Sequence, residues 1–444
     1  MNAPYQPPTD ILDVLRDIEF EDALTAEDAR YVDTREARGS QKTLRMLSRM
    51  FGLQLPDGPF RWPLTKHVLF FGHIGSGKTT ELRRYAAELS HPDRPWHFVV
   101  EINVKLLLDG NNLNYADLLM GMALRLLECL QEKHIDIDGI HLQRLEHWFG
   151  ERVMNFEEVK TFEAEVRAGA EIKSGIPGLL SLFGKLTSAF KTNSTHKEAL
   201  RLAIRNTFTD FATAFNALLR AAEAQIAARG LGQRVLFLVD GTDRLNRDDA
   251  RAMFQQDVAQ LLNIEAHVVY TAPLGLKFEG GLDGKLDDLV LPMLKLQESD
   301  GSDCPAGRAA LRELLLRRAD ISLFAGEAEI ARLVEVCGGH PRDLLRLLMF
   351  CCQLVDYGEP IDAATVDAAI KRLAADYRYK LEPDDYKLLA QLDADHIHAG
   401  NDERLRKLLY ECSLLEYNNG SWRRSHPVVR TLEGYQRAAS STIR

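Results

Sequence analysis

The stretch FFGHIGSGKTTEL, Phe70 to Leu82, decides how the rest of this chain is read. A short apolar run, residues 67–71, ends in a loop carrying three glycines and one lysine, and residues 79–90 beyond it read as a helix. Gly72 through Thr79 fit G-x-x-x-x-G-K-[ST] without a mismatch, between strand and helix as the pattern requires. The glycines let backbone N–H groups converge on phosphate oxygens, and the helix N-terminus adds a positive dipole. Lys78 has the reach for the outer phosphates, and Thr79 offers a hydroxyl to Mg2+. These residues predict a polyphosphate cradle made by Gly72, Gly75, Ser76, Gly77, Lys78, Thr79 and the adjoining Thr80.

Working outward, residues 41–51 carry Leu44, Leu47 and Phe51 at helical spacing, ahead of a Pro/Gly-rich turn. After the loop and its helix, residues 96–104 read as a second strand, which makes a βαβ unit. A helix over 115–131, an insertion over about 135–196 and a helix over 197–229 follow. A third strand over 234–245 ends in two aspartates, a fourth covers 266–272, and a fifth covers 289–296. Strands alternating with helices predict an α/β fold with a parallel sheet covered on both faces. Beyond Pro305 helices take over, at 306–319, 328–336, 343–355 and 363–377. Residues 381–432 then offer two short helices and a hairpin turning at Asn418-Asn419-Gly420, the signature of a winged helix.

At 444 residues the chain exceeds one ordinary core. A net charge of −10 gives no bulk attraction to nucleic acid or anionic lipid, so either contact needs a local basic patch. Six cysteines (Cys129, Cys304, Cys337, Cys351, Cys352, Cys412) are scattered, with no pair at the gap that zinc or redox sites favour. The first residues lack the blocks of a signal peptide, and no apolar run approaches the roughly 18 residues that span a membrane. A cytoplasmic, reduced protein without a membrane partner is expected.

Asp240 closes an apolar strand, where a metal-holding carboxylate belongs, and Asp243 stands three residues on, within reach of an attacking water. The competing reading is a pair of loop-capping aspartates, since Asp-Gly-Thr makes turns on its own account.

With these residues in view, the chain resembles a STAND-type P-loop ATPase of the AAA+ group. The resemblance rests on the phosphate loop, on VDGTDR (239–244), on CGGHPRDLLRLL (337–348) and on a winged helix following the lid; it covers residues 31–432. In VDGTDR a tiny residue follows the metal aspartate and a second acid stands third, similar to NACHT-type modules, whereas ordinary AAA+ proteins place a glutamate directly after the aspartate. The implied fold is an ASCE-type P-loop NTPase core, residues 61–300 with the insertion, preceded by a base-contacting N-terminal segment (1–60) and followed by a helical lid (301–378) and a winged helix (379–444). The implied activity is slow hydrolysis of Mg-ATP by a switch whose nucleotide state sets conformation and self-association.

Residue by residue, the resemblance implies that Lys78 and Thr79 bind phosphate and metal, Asp240 holds Mg2+ and Asp243 polarises water. It makes Thr271 a polar sensor, has His340, Pro341 and Arg342 report nucleotide state to the lid, and packs residues 35–39, Arg38 and Gly39 among them, on the base. It also implies a homo-oligomer in the ATP state, a protein partner, and a setting in bacterial signalling or antiviral defence. No arginine finger is assigned; Arg244, Arg247 and Arg251 are candidates because they follow the aspartates.

Two further features bear on partners. Arg404, Arg406, Lys407, Arg423, Arg424 and Arg430 outnumber Glu411 and Glu416 across the second helix and hairpin. They support an alternative function, a DNA-binding AAA+ adaptor of initiator or transposition type using its wing. Within the insertion, Leu179, Leu182, Phe183, Leu186 and Phe190 share a helical face; such a stripe covers its own domain or lies at an interface, and the first reading is favoured.

Overall fold

The computed structural model describes residues 5–18, 23–39, 41–54, 58–59, 65–108, 113–152, 176, 180, 194–282, 284–395 and 402–442. Five strands make one parallel sheet: β1 (His67–Gly72), β2 (His97–Asn103), β3 (Arg234–Asp240), β4 (His267–Pro273) and β5 (Asp287–Val290), in the order β2-β3-β4-β1-β5. Every residue of β1 is buried, as a strand covered on both faces requires. Its side chains alternate: Val68 and Phe70 join Leu47, Phe51, Leu82 and Leu89 on one face, while Leu69 and Phe71 join the larger core on the other. Because all five strands run the same way, the loops after β1, β3 and β4 open at one edge, the usual ligand edge of such a sheet.

The covering helices are α1 (Ile11–Asp17), α2 (Arg35–Arg38), α3 (Gln41–Met50), α4 (Lys78–Leu89), α5 (Tyr115–Glu132), α6 (Gly139–Arg152), α7 (Ser194–Asn206) and α8 (Phe208–Ala228). The lid consists of α9 (Pro305–Leu316), α10 (Glu327–Val336), α11 (Pro341–Leu354) and α12 (Ala363–Arg378). Then come α13 (Pro383–Ala394), α14 (Glu403–Tyr410), an antiparallel hairpin of β6 (Leu414–Tyr417) and β7 (Trp422–Ser425), and α15 (Glu433–Thr442), which together form a winged helix. The hairpin turns through Asn418 at φ +47° and Gly420 at φ +89°, values suited to those two residue types. No helix among the described residues is long and apolar enough to cross a membrane.

Three sequence expectations shift. The third strand stops at Asp240, because Gly241 turns the chain at φ +93° and puts Asp243 on a 3-10 turn, Thr242–Arg244. The helix expected over 197–229 is two, α7 and α8, joined at Thr207. The fifth strand spans Asp287–Val290 and ends before Pro292, which has no N–H to continue the ladder. The stripe from Leu179 to Phe190 falls outside the described residues.

Candidate functional site

The loop between β1 and α4 passes through two left-handed glycines, Gly75 at φ +83° and Gly77 at φ +96°. It delivers Lys78, 4% exposed, whose Nζ donates to the carbonyls of Gly72 (3.0 Å) and His73 (2.9 Å) and lies 2.7 Å from Asp243 Oδ2. One residue on, Thr79 Oγ1 donates to Asp240 Oδ1 at 2.6 Å. The strand β3 and its turn therefore meet the phosphate loop through two paired contacts, a cation with one carboxylate and a hydroxyl with the other. Thr271, at the end of β4, accepts the Gly241 N–H on its hydroxyl at 3.0 Å, and its carbonyl accepts the Thr242 hydroxyl. It thus fixes the turn that carries Asp243.

The two aspartates are tuned in opposite directions. Burial pushes the Asp240 carboxyl up, the Thr79 hydrogen bond opposes this, and the Asp243 charge adds to it. Burial alone would also raise Asp243, but the Lys78 ammonium, helped by Arg244 and Arg342, holds it below the usual carboxylate range.

A cavity of about 420 Å3 opens here. Its polar end is formed by Gly77, Lys78, Thr79, Asp240 and Asp243, and its apolar end by Val32, Leu314, Pro341 and Leu345. Residues 23–34 run across it. Arg83 and Arg84 of α4 hold the carbonyls of Ala23 (2.6 Å) and Ala26 (2.7 Å), while Arg317 and Arg318 of the lid hold those of Ala29 (2.5 Å) and Arg30 (3.2 Å). Val32, Leu314 and Leu345 were not foreseen as site residues, since single apolar residues on three separate segments leave no local pattern.

The other expected residues fall as follows. Thr80, Gly75 and Arg342 line the cavity, whereas Gly72, Ser76, Thr271 and His340 are not part of its lining. Arg38 borders it but turns its guanidinium into the protein, and Gly39, at φ +67°, only ends α2. Arg244 reaches the cavity; Arg247 pairs with Glu279 and Glu403, and Arg251 pairs with Glu279.

Lid and wing both touch the phosphate loop. The Asp343 N–H donates to His340 Nδ1 (3.1 Å), so Nε2 carries the ring proton and donates to the Ile74 carbonyl at 2.8 Å. Asp343 in turn accepts from Tyr377 Oη (2.5 Å) and Arg346 Nη1 (3.0 Å), and His426 Nε2 lies 3.3 Å away. From the wing, the Glu416 N–H donates to His73 Nε2 at 2.9 Å. Burial pushes His340 down to about 4 and His73 to about 3, so both rings are neutral near pH 7. The glycines of CGGHPR allow this junction: a side chain on Gly339 would meet the Leu294 carbonyl at 1.9 Å, and one on Gly338 would meet Pro427 at 2.5 Å.

The six basic residues of the second helix and hairpin region are engaged within the molecule. Arg404 and Lys407 bond Asp385, Arg406 the Phe278 carbonyl, Arg423 Glu416, Arg424 Gln297, and Arg430 Asp393. Helix α14 lies on the core, with Gly275 against the Arg406 carbonyl and Tyr410.

The residues fit a nucleoside polyphosphate with Mg2+. Ser76 Oγ is buried with no hydrogen-bond partner among the described residues, Gly75 and Gly77 give the loop its two left-handed turns, and Thr79 with Asp240 supplies hard oxygen donors. Among the described residues no cluster of three or more His, Cys, Asp or Glu is arranged to hold a metal.

No family model and no curated protein matches the sequence. Among solved structures, the Walker-type ATPase paby2304 of Pyrococcus abyssi is similar at 13% identity and a TM-score of 0.44, covering 93% of this chain and 98% of that one. The RuvB Holliday junction branch migration motor of Thermotoga maritima is similar at 13% identity and 0.34, covering 90% and 94%. The Orc1 protein of Aeropyrum pernix, solved in complex with DNA, is similar at 14% and 0.38, covering 94% of each chain. The chemistry of the site therefore stands on this chain's own residues.

Proposed function

We propose that this chain is a Mg-ATP-binding ATPase of the STAND type, working as a conformational switch. The observation that carries the reading is the quartet of buried Lys78 and Asp243 with half-buried Thr79 and Asp240 at the mouth of the glycine loop. A bound Mg-nucleotide supplies the phosphoanhydride to be cleaved and a cation to spread its charge. Thr79 and Asp240 would hold that metal, and Lys78, here held by Asp243 and two carbonyls, would supply its charge to the phosphate oxygens. Asp243, whose carboxylate Lys78, Arg244 and Arg342 keep charged against its burial, is the group that would orient a water. Catalysis of this kind is positioning and charge stabilisation, so turnover is slow until a further cation arrives from a neighbouring copy.

The switch follows from what the loop touches. His73 and Ile74 are hydrogen-bonded to wing and lid, so filling the cradle is felt by both. In this reading residues 61–300 form the core, 301–378 the lid and 379–444 the wing. ATP loosens the wing from the core and exposes surface for self-association and for a protein partner. A cytoplasmic role in bacterial signalling or antiviral defence follows the family resemblance alone. The DNA-adaptor alternative requires the wing to come away first, because its cations are occupied internally.

Light scattering in apo, ADP and ATP states, with phosphate release measured alongside, tests the reading. A mass that rises with ATP, fails to rise in Lys78→Ala and stays high in Asp243→Asn supports the switch. A nucleotide-indifferent monomer refutes it.

A further inference from the structure

Arg38 is 2% exposed, yet no carboxylate among the described residues lies within ion-pair distance of it. Its three nitrogens go instead to three neutral acceptors. Nε donates to Thr34 Oγ1 (2.8 Å), Nη1 to the Pro292 carbonyl (2.8 Å) and Nη2 to the Ser76 carbonyl (2.6 Å). Thr34 passes the chain on, donating to Glu81 Oε1 at 3.0 Å on α4. A planar fork with fixed donor directions is the side chain that can span three such acceptors.

The Ser76 contact determines which way the cradle faces. In a planar trans peptide the carbonyl and the next N–H point in opposite directions. Holding the Ser76 oxygen on Arg38 therefore aims the Gly77 N–H away from Arg38, toward the cavity that Gly77 lines. The peptide is flanked by Gly75 and Gly77, both at positive φ, so without a restraint it can rotate at little steric cost and present a carbonyl where an anion must sit.

We propose that Arg38 is a positioning residue: it locks the Ser76–Gly77 peptide with its N–H facing the phosphate, and ties the loop to the segment leading from β5 into the lid. The proposal rests on the nucleotide reading above and assigns Arg38 to the phosphate end instead of the base.

The test uses the full chain, titrated calorimetrically with ADP and with adenosine, for wild type, Arg38→Lys and Arg38→Gln. Both variants are expected to bind ADP at least about tenfold more weakly while adenosine affinity changes less than about twofold. Lysine does not rescue, because it keeps the charge and loses the fork. Should Arg38→Gln fail to fold, Thr34→Val, which removes the Nε acceptor together with the donor to Glu81, is expected to weaken ADP binding about threefold. Full rescue by lysine, equal losses for ADP and adenosine, or unchanged ADP binding each overturn the lock. A wild type that binds no ADP overturns the nucleotide reading, and the lock with it.

Discussion

The Glu416 backbone N–H donates to His73 Nε2 at 2.9 Å, joining a phosphate-loop side chain to a hairpin 343 residues away in sequence. His73 occupies a free position of the loop pattern, so removing its ring spares the cradle and cuts the link to the wing. His73→Ala is expected to leave nucleotide affinity within about threefold and to cost about 1 kcal/mol of wing docking. Faster hydrogen exchange at Leu414–Tyr417, without faster exchange in β1, is the measurement that checks it.

Asp243→Asn removes the charge that Lys78 now balances while keeping the shape of the turn that Thr271 holds. Nucleotide binding is expected to persist and phosphate release to fall about 100-fold or more. Lys78→Ala, by contrast, is expected to lose both. Equal turnover in Asp243→Asn and wild type would remove Asp243 from the chemistry.

Three histidines stand at the strand beginnings, opposite the loop: His97 and His267 pack against Phe51, while His67 bonds Tyr270 Oη and the Ile264 carbonyl on the other face. Burial pushes His67 and His97 down to about 4, and burial with the nearby His97 and Arg234 pushes His267 to about 2. Below pH 6.5 the unfolded chain takes up protons that the folded chain refuses. The stability these rings contribute is therefore intact above pH 6.5 and is lost as pH falls toward 4, with a limiting slope of about 1.4 kcal/mol per pH unit for each ring. Urea denaturation at pH 7.5, 6 and 5 should show falling midpoints; a flat series would refute the assignment.

Arg423 pairs with Glu416 inside the wing, with both side chains buried. Arg423→Glu is expected to destabilise by about 3–5 kcal/mol, because it leaves uncompensated buried charge. The nucleotide-free wild type is expected to bind duplex DNA no better than nonspecifically at physiological salt, since the wing's cations already have partners. Fluorescence anisotropy of a labelled duplex, titrated with salt, decides this; tight binding without nucleotide would favour the DNA adaptor.

Legibility in the sequence followed locality. The loop and its helix were readable because all their requirements lie within a dozen consecutive residues. The fifth strand was misplaced because its first two residues are acidic: Asp287 and Asp288 pair with Lys66 and Lys277 and do not look like strand. The apolar run that looked like strand continues past Pro292 as connector. Arg38 was legible as belonging near the nucleotide, but its partners, Ser76 and the Pro292 carbonyl, come from segments 38 and 254 residues away. The apolar end of the cavity had no signal at all, because Val32, Leu314 and Leu345 are brought together only by the lid folding over the N-terminal segment.

That segment also sets a timetable. Ala29 and Arg30 leave the ribosome early, but the arginines that hold them, Arg317 and Arg318, lie 288 residues later. The glycine loop and its helix are therefore made well before the roof of the cavity can close, although the strands that pair with β1 emerge only shortly before it. A nascent chain passes through a stage in which the segment crossing the cavity is held by Arg83 and Arg84 alone, before the two lid arginines join them.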